Sequence, residues 1–584
     1  MSDEPADQQP GMIARVERLA LLADRRWALL TAWARRGSQP GGSDLQVIAS
    51  PASRPGPEAR ARELRETTRG YLLARARDLD APLVIALLGP TGSGKSSLLN
   101  TLAGSPVSRT GVLRPTTRHA ILVATPADRA AVVDSGPLAA IPADRLEVRD
   151  EGARPGVVIV DAPDLDSVEH DNRALADTLL ELADVCVFVT TATRYADRVP
   201  WDVLARAEQR RIPLVVVVNR LPAGEDAAAV LTDVERLLAA SRLALMDVIA
   251  VPEGALNATG RALDRDMVEP LLDRIVTLSR DRLARRSLGG QALAGAVAGL
   301  SPLVSAVRAD LESEASDADG LRRSADHAYE DEARRLLERL TQGMVLREEV
   351  IRHWHSYVGA DQVTRLFSKG VGRVRGTLLA LLRGTPTPPI SSVQAGAADD
   401  VAALVVAHAG EAARRVAAQW AADPVGTELV AADAGLWSAS ADLADRTHLA
   451  VDDWVRGIAA DVAITGADKK GVARGASVGV SVGAVAVMLL TFAHTGGITG
   501  AEVGLAAATA LLNQKLMNAL FGEAAVQEII ERARERLVTL VVGLMAEEEA
   551  RFTALVPDGA ELRALGADLS AAIAEAGPDP GDGR

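Results

Sequence analysis

The stretch GPTGSGKSS, residues 89–97, decides how the rest of the chain is read. It fits G-x-x-x-x-G-K-S from Gly89 to Ser96. It directly follows the apolar run PLVIALLG (82–89) and leads into SSLLNTLAG (96–104). Strand, glycine-rich loop and helix, in that order, form the setting this pattern needs to hold phosphates. Gly89, Thr91, Gly92, Ser93 and Gly94, with Ser97 just beyond, are expected to cradle a nucleotide's phosphate chain. Lys95 is expected to reach the β and γ phosphates, and the Ser96 hydroxyl to ligate Mg²⁺. The N-terminus of the following helix adds its dipole.

Working outward, four more apolar runs repeat the theme of the first: GVVIVDAPD (156–164), ADVCVFVTT (183–191), IPLVVVVN (212–219) and ALMDVIAVP (244–252). Helix-like segments separate most of them. Continuous apolar strands alternating with helices predict a mostly parallel sheet covered on both faces. The expected fold class is therefore an α/β P-loop domain followed by a long all-α region. Residues 11–36 read as an amphipathic helix carrying Ile13, Val16, Leu19, Leu22 and Trp27. GSQPGGSDLQVIASPASRPGPE (37–58) reads as a linker, and roughly 57–79 as an Arg- and Glu-rich helix. TPTPPISSVQAGAADD (385–400) reads as a loop, and roughly 523–554 as a long helix. The expected organisation is an N-terminal helix and linker (1–56), the P-loop domain (57–280), a helical region (281–470), an apolar hairpin (471–522) and a C-terminal helix with tail (523–584).

At 584 residues the chain exceeds what one core supports,. A net charge of −14, without a strongly basic domain, argues against a nucleic-acid partner,. Cys186 is the single cysteine and lies inside VCVFV, so no intrachain disulfide forms, as suits the cytosol,. The acidic start MSDEPADQQPGM lacks the features of a secretion signal.

GASVGVSVGAVAVMLLTFAHTGGITGA (475–501) runs 27 residues without Asp, Glu, Lys or Arg, more than a bilayer core requires,. It continues as EVGLAAATALLNQKLMNALFG (502–522) after the turn-forming HTGGITG. A helical hairpin of roughly 475–493 and 501–521 is expected, with small residues such as Gly479, Gly483, Ala506 and Ala510 allowing close approach. Three of the chain's five lysines flank it, Lys469, Lys470 and Lys515; with Arg474 they place both ends on the cytoplasmic side of the membrane,. The alternative is a buried hairpin in a soluble bundle.

GPTGSGKSSL resembles the phosphate loop of transporter ATPases. The accompanying SLGGQ (287–291), however, falls after the second aspartate strand rather than before it, and no glutamate follows Asp161. The remaining spacing resembles GTPases of the translation-factor-like class, with RPTTRH (114–119) close to the Era-like form. That resemblance implies Thr117, next to Thr116, as a switch threonine that closes over Mg²⁺ and the γ-phosphate. It implies Asp161 of DAPD (161–164) as a Mg²⁺ partner through water, with Asp164 standing where the pattern has glycine. It also implies Asn219 and Arg220 of NRLP (219–222) at the base, where Pro222 replaces the guanine-reading aspartate. Losing that acceptor weakens guanine selection, and Glu225 or Asp226 are candidate substitutes. Arg194, after the strand ADVCVFVTT, is either a charge neutraliser or a solvated loop residue. No glutamine stands out to orient water.

DAPDLDSV (161–168) and FVTTATRYAD (188–197), with the flanking helices and the apolar segment, make the chain resemble bacterial dynamin-like GTPases, in particular large actinobacterial ones. The resemblance covers about 80–255 by motif. It implies a Mg²⁺-dependent enzyme that hydrolyses GTP, with Lys95 and Thr117 as the catalytic groups. It further implies pairing of G domains or homo-oligomerisation, contact with inner-membrane lipid at the cytoplasmic face through the hairpin, and membrane remodelling or scaffolding. Two other readings stay open: a soluble Era-like regulatory GTPase whose helical region binds a protein, and an ATP-binding protein of transporter type.

Overall fold

The computed structural model describes residues 9–37, 56–109, 119–134, 136–165, 170–257, 260–341, 390–467 and 523–576. These divide into two compact units. The first comprises Met1–Ala32, Val47–Glu314 and Ala560–Arg584, the second Trp33–Gln46 and Ala315–Gly559. Residues 471–522 and Thr117 lie outside the described residues, so the expected hairpin and switch threonine have no structural account here.

The first unit is built on a seven-stranded sheet. Its strands are β1 (Leu83–Leu88), β2 (Ala120–Val123), β3 (Leu146–Arg149), β4 (Val157–Asp161), β5 (Val185–Thr191), β6 (Leu214–Leu221) and β7 (Leu245–Pro252). The order is β3-β2-β4-β1-β5-β6-β7, and every pairing is parallel except β2 with β4. The expected mostly parallel α/β domain is therefore what forms. Each residue of β1, β4 and β5 is buried, because helices cover both faces, and the side chains are apolar except at the carboxyl ends, where Asp161, Thr190 and Thr191 stand,. Cys186 is buried among them, its thiol pushed up to about 12 by burial.

Three local features depart from the expected elements. LEVR (146–149) forms the edge strand β3; its half-buried, charged alternation hides it from a search for apolar runs. The helix expected over 57–79 is Pro57–Glu66 and Leu73–Arg77 joined by a π-helical turn, Thr67–Leu72. There the Thr68 hydroxyl donates to the Leu64 carbonyl at 2.8 Å, a side-chain bond that competes with the backbone ladder,. The loop expected over 385–400 gives way, from Ile390, to the helix Ile390–Ala421. Pro388 and Pro389 fall just before its start, and the alanine-rich sequence beyond them favours helix,.

The helix Gln9–Gly37 buries Val16, Leu19 and Leu22. Within the first unit, Arg26 of this helix, fully buried, clamps Glu314 with two bonds of 2.6 and 2.7 Å. Arg18 reaches Glu575 and Arg25 reaches Glu561, so helical segments from both ends of the chain meet there.

The second unit is helical and carries no strand among the described residues. Its helices include the later part of Ser301–Thr341, Ile390–Ala421, Leu443–Ala467 and Glu523–Thr553. Trp420 and Phe552 meet edge-to-face with centroids 5.4 Å apart, and Tyr329 stands 6.0 Å from Phe552,. The buried Trp420 ring nitrogen donates to Ser324 Oγ at 2.9 Å.

Candidate functional site: the phosphate loop

The loop between β1 and the helix Lys95–Ala103 lies at the carboxyl ends of the parallel strands, where open α/β sheets bind ligands,. Two glycines are required by close approach. A Cβ on Gly89 would stand 2.1 Å from the Val189 carbonyl oxygen. Gly94 has φ +103°, and a Cβ there would fall 2.3 Å from Asn219 Nδ2,. That Nδ2 donates to the Ser93 carbonyl at 2.9 Å, while Asn219 Oδ1 accepts from the Arg220 N–H at 2.8 Å. Asn219 thus ties the base loop to the phosphate loop. Arg220 is exposed and takes a positive φ of 56°, rare for a side chain of its size,. Beside it, the Glu253 N–H donates to the Leu221 carbonyl at 2.8 Å and brings the stretch VPEG (251–254), at the end of β7, against the loop that carries Asn219 and Arg220.

Lys95 is 5% exposed. Its ammonium donates to the Gly89 carbonyl at 2.8 Å and the Pro90 carbonyl at 3.3 Å, and pairs with Asp164 Oδ1 at 2.6 Å. Ser96 Oγ donates to Asp161 Oδ2 at 2.8 Å. Asp161 is fully buried at the end of β4, and burial is the main reason its carboxyl is pushed up to about 6, against the lowering effects of Lys95 and the Ser96 bond. Among the described residues its other oxygen, Oδ1, has no hydrogen-bond partner, and neither does the buried Ser93 Oγ. Buried polar atoms are seldom left unpaired without cause.

Gly89, Thr91, Gly92, Ser93, Gly94, Lys95, Ser96 and Ser97 are brought together with Asp161, Asn219 and Arg220 around one loop. Besides the Lys95–Asp164 pair, sequence reasoning missed the following contacts of this arrangement. Asn100 holds Ser108 through its side chain, donating to the Ser108 carbonyl at 3.0 Å and accepting from its N–H at 2.8 Å. Ser108 Oγ then lies 3.5 Å from Asp161 Oδ2. Arg194 donates to the Thr91 carbonyl at 3.1 Å while pairing with Asp197 at 2.9 Å, so it is braced on the phosphate loop rather than free in solvent. SLGGQ (287–291) lies within the helix Arg282–Gly299.

Residues 84–220 match the family model of the 50S ribosome-binding GTPases. This stretch is a GTPase domain. The GTPase domain takes in β1 from its second residue through most of β6, hence the phosphate loop, Asp161 and Asn219, and such domains bind and hydrolyse GTP. No curated protein matches the chain. Among solved structures, a bacterial dynamin pair described as sensing and tethering membranes is similar over 88% of this chain and 91% of that one, at 13% identity and TM-score 0.36. A variant of Era from Aquifex aeolicus bound to GDP and aluminium fluoride is similar at 20% identity and TM-score 0.23, covering 32% of this chain and 56% of its own. The likeness thus spans little over half of Era's length. Toc33 from Arabidopsis thaliana, a dimerisation-deficient variant, is similar at 16% identity and TM-score 0.24, covering 37% of this chain and 91% of its own.

Proposed function

We propose that the chain is a Mg²⁺-dependent GTPase of dynamin-like type that works at the cytoplasmic face of the cell membrane, through paired G domains or a homo-oligomer, in remodelling or scaffolding lipid. The observation that carries the nucleotide part is the buried Asp161 oxygen that has no partner among the described residues, set beside Ser96 and Lys95 at the head of β1 and β4. An orphaned carboxylate oxygen next to a hydroxyl is the donor set a hard cation takes, so Ser96 and Asp161 fit Mg²⁺, with Thr117 as the further expected partner. Bound there, the ion supplies charge neutralisation for the β and γ phosphates.

The chain's own groups do the rest. Lys95 offers its ammonium to the bridging region of the triphosphate. Among the described residues no side chain caps the first turn of Lys95–Ala103, which leaves its N–H groups for phosphate oxygens,. Asn219 holds the base loop against Ser93, and the stem of Arg220 covers the base face. Arg194, braced on Thr91, keeps the loop closed on the side of β5.

The membrane part rests on the uncharged run 475–501 and its flanking cations. Among the described residues, one helical stretch, Arg282–Leu340, is long and apolar enough to cross a membrane by length and composition, and 44% of its apolar window is buried. A heat-unfolding titration of the full chain with GTP or ATP, with and without Mg²⁺ and liposomes, tests the reading. Stabilisation by Mg²⁺ and GTP above that by ATP, with flotation on vesicles, supports it. Equal or greater stabilisation by ATP moves the site to the transporter-type alternative. GTP binding without flotation moves the protein to the soluble regulatory alternative.

A further inference from the structure

The ammonium of Lys95 has three N–H donors. All three are spoken for: by the Gly89 carbonyl, the Pro90 carbonyl and the Asp164 carboxylate. Two of these acceptors are loop backbone. Only Asp164 can swing away, for its side chain is 20% exposed while that of Lys95 is 5% exposed. An incoming terminal phosphate therefore meets an internal anion already seated on the lysine it needs. In a GTPase site the glycine expected at this position would leave the lysine without such a rival.

From this juxtaposition we propose that Asp164 is a specificity-determining residue: it biases the site toward nucleoside diphosphates by competing with the γ-phosphate for Lys95. A diphosphate lets Asp164 keep part of its ion pair, since no γ-phosphate claims its place. A triphosphate must displace the carboxylate and then lie beside it, with like charges a few ångströms apart. The inference rests on the GTPase reading of the site and names which nucleotide state that site favours at rest.

The test compares affinities of the full chain for GDP and for a non-hydrolysable GTP analogue, both with Mg²⁺, by calorimetry. Asp164→Gly and Asp164→Asn should each raise analogue affinity relative to GDP by about tenfold. Asp164→Glu, which keeps the anion, should hold the ratio near that of the unsubstituted chain. Two neutral variants guard against one that folds poorly, and circular dichroism reports folding in each. A ratio unchanged within about twofold in both neutral variants overturns the inference alone. If the unsubstituted chain binds neither nucleotide, the GTPase reading falls and this inference falls with it.

Discussion

Asp161, at the end of β4, and Asp184, just before β5, are two fully buried carboxylates that stand beside opposite ends of β1. Asp161 stands in register with Leu87, at the carboxyl end of β1. Asp184 accepts from the Val84 N–H at 2.8 Å, at its amino end. Asp184 also accepts from the Tyr71 hydroxyl at 2.9 Å and pairs with the buried Arg75, so both its oxygens are used. Burial and the Asp184 charge push the Tyr71 hydroxyl well above its usual range and keep it a donor. Asp161 has one oxygen without a partner among the described residues. One carboxylate is spent on the fold. The other is the one the proposed function assigns to Mg²⁺.

The comparison breaks most visibly at Asp184. Replacing it with Ala leaves the Arg75 guanidinium, whose side chain is 1% exposed, without its counter-charge. Stranding one partner of a buried pair costs about 3–5 kcal/mol. Urea unfolding of Asp184→Ala should show that loss in the transition of the first unit, and a loss under about 1 kcal/mol would refute the structural role. Asp161→Asn should behave in the opposite way. It removes a carboxylate already disfavoured by burial, so the stability change should stay within about 1 kcal/mol. Mg²⁺-dependent GTP hydrolysis should instead fall by roughly 10²-fold or more. If the two substitutions lowered stability alike, the distinction between them would vanish.

How far the sequence foretold this depends on the kind of signal each residue carries. The core strands were legible because burial on both faces forces unbroken apolar runs, and β1, β4, β5 and β6 carry them; the edge strand β7 buries only Ile249 and Val251 but is apolar enough to read the same way. β3 was not, because an edge strand of four residues needs no such run. Lys95, Ser96, Asp161 and Asn219 were legible from spacing, since phosphate chemistry fixes both the residue types and their order. The grip of Asp164 on Lys95 was not. The sequence puts an acid in a glycine's place, but whether it reaches an ammonium 69 positions away depends on the path of the chain after β4. The same holds for Arg194 on Thr91 and for Asn100 on Ser108, contacts between elements that no local pattern records.

The helical unit repeats the comparison at lower stakes, in adjacent residues of the helix Glu523–Thr553. Glu548 is fully buried, and burial alone would raise its carboxyl. Bonds from Ser440, Arg551 and Arg446 outweigh that and hold it below the usual range. Glu549 has no such company: burial, then a shared hydrogen bond and repulsion with Asp326, and then Glu330, push it from 4.5 to about 7. A carboxyl raised in the folded state binds its proton more tightly there than in the unfolded chain. Its contribution is therefore full below the unfolded value near 4.5 and is lost as pH rises through about 7,. Glu549→Gln should flatten this part of the profile. The variant should gain over the unsubstituted chain in urea midpoint at about pH 8 and lose most of that gain at about pH 5. The effect should be the smallest of the three, because Glu549 is only half-buried and solvent screens it,. A gain of equal size at both pH values would mean that packing, not ionisation, separates Glu549 from its neighbour.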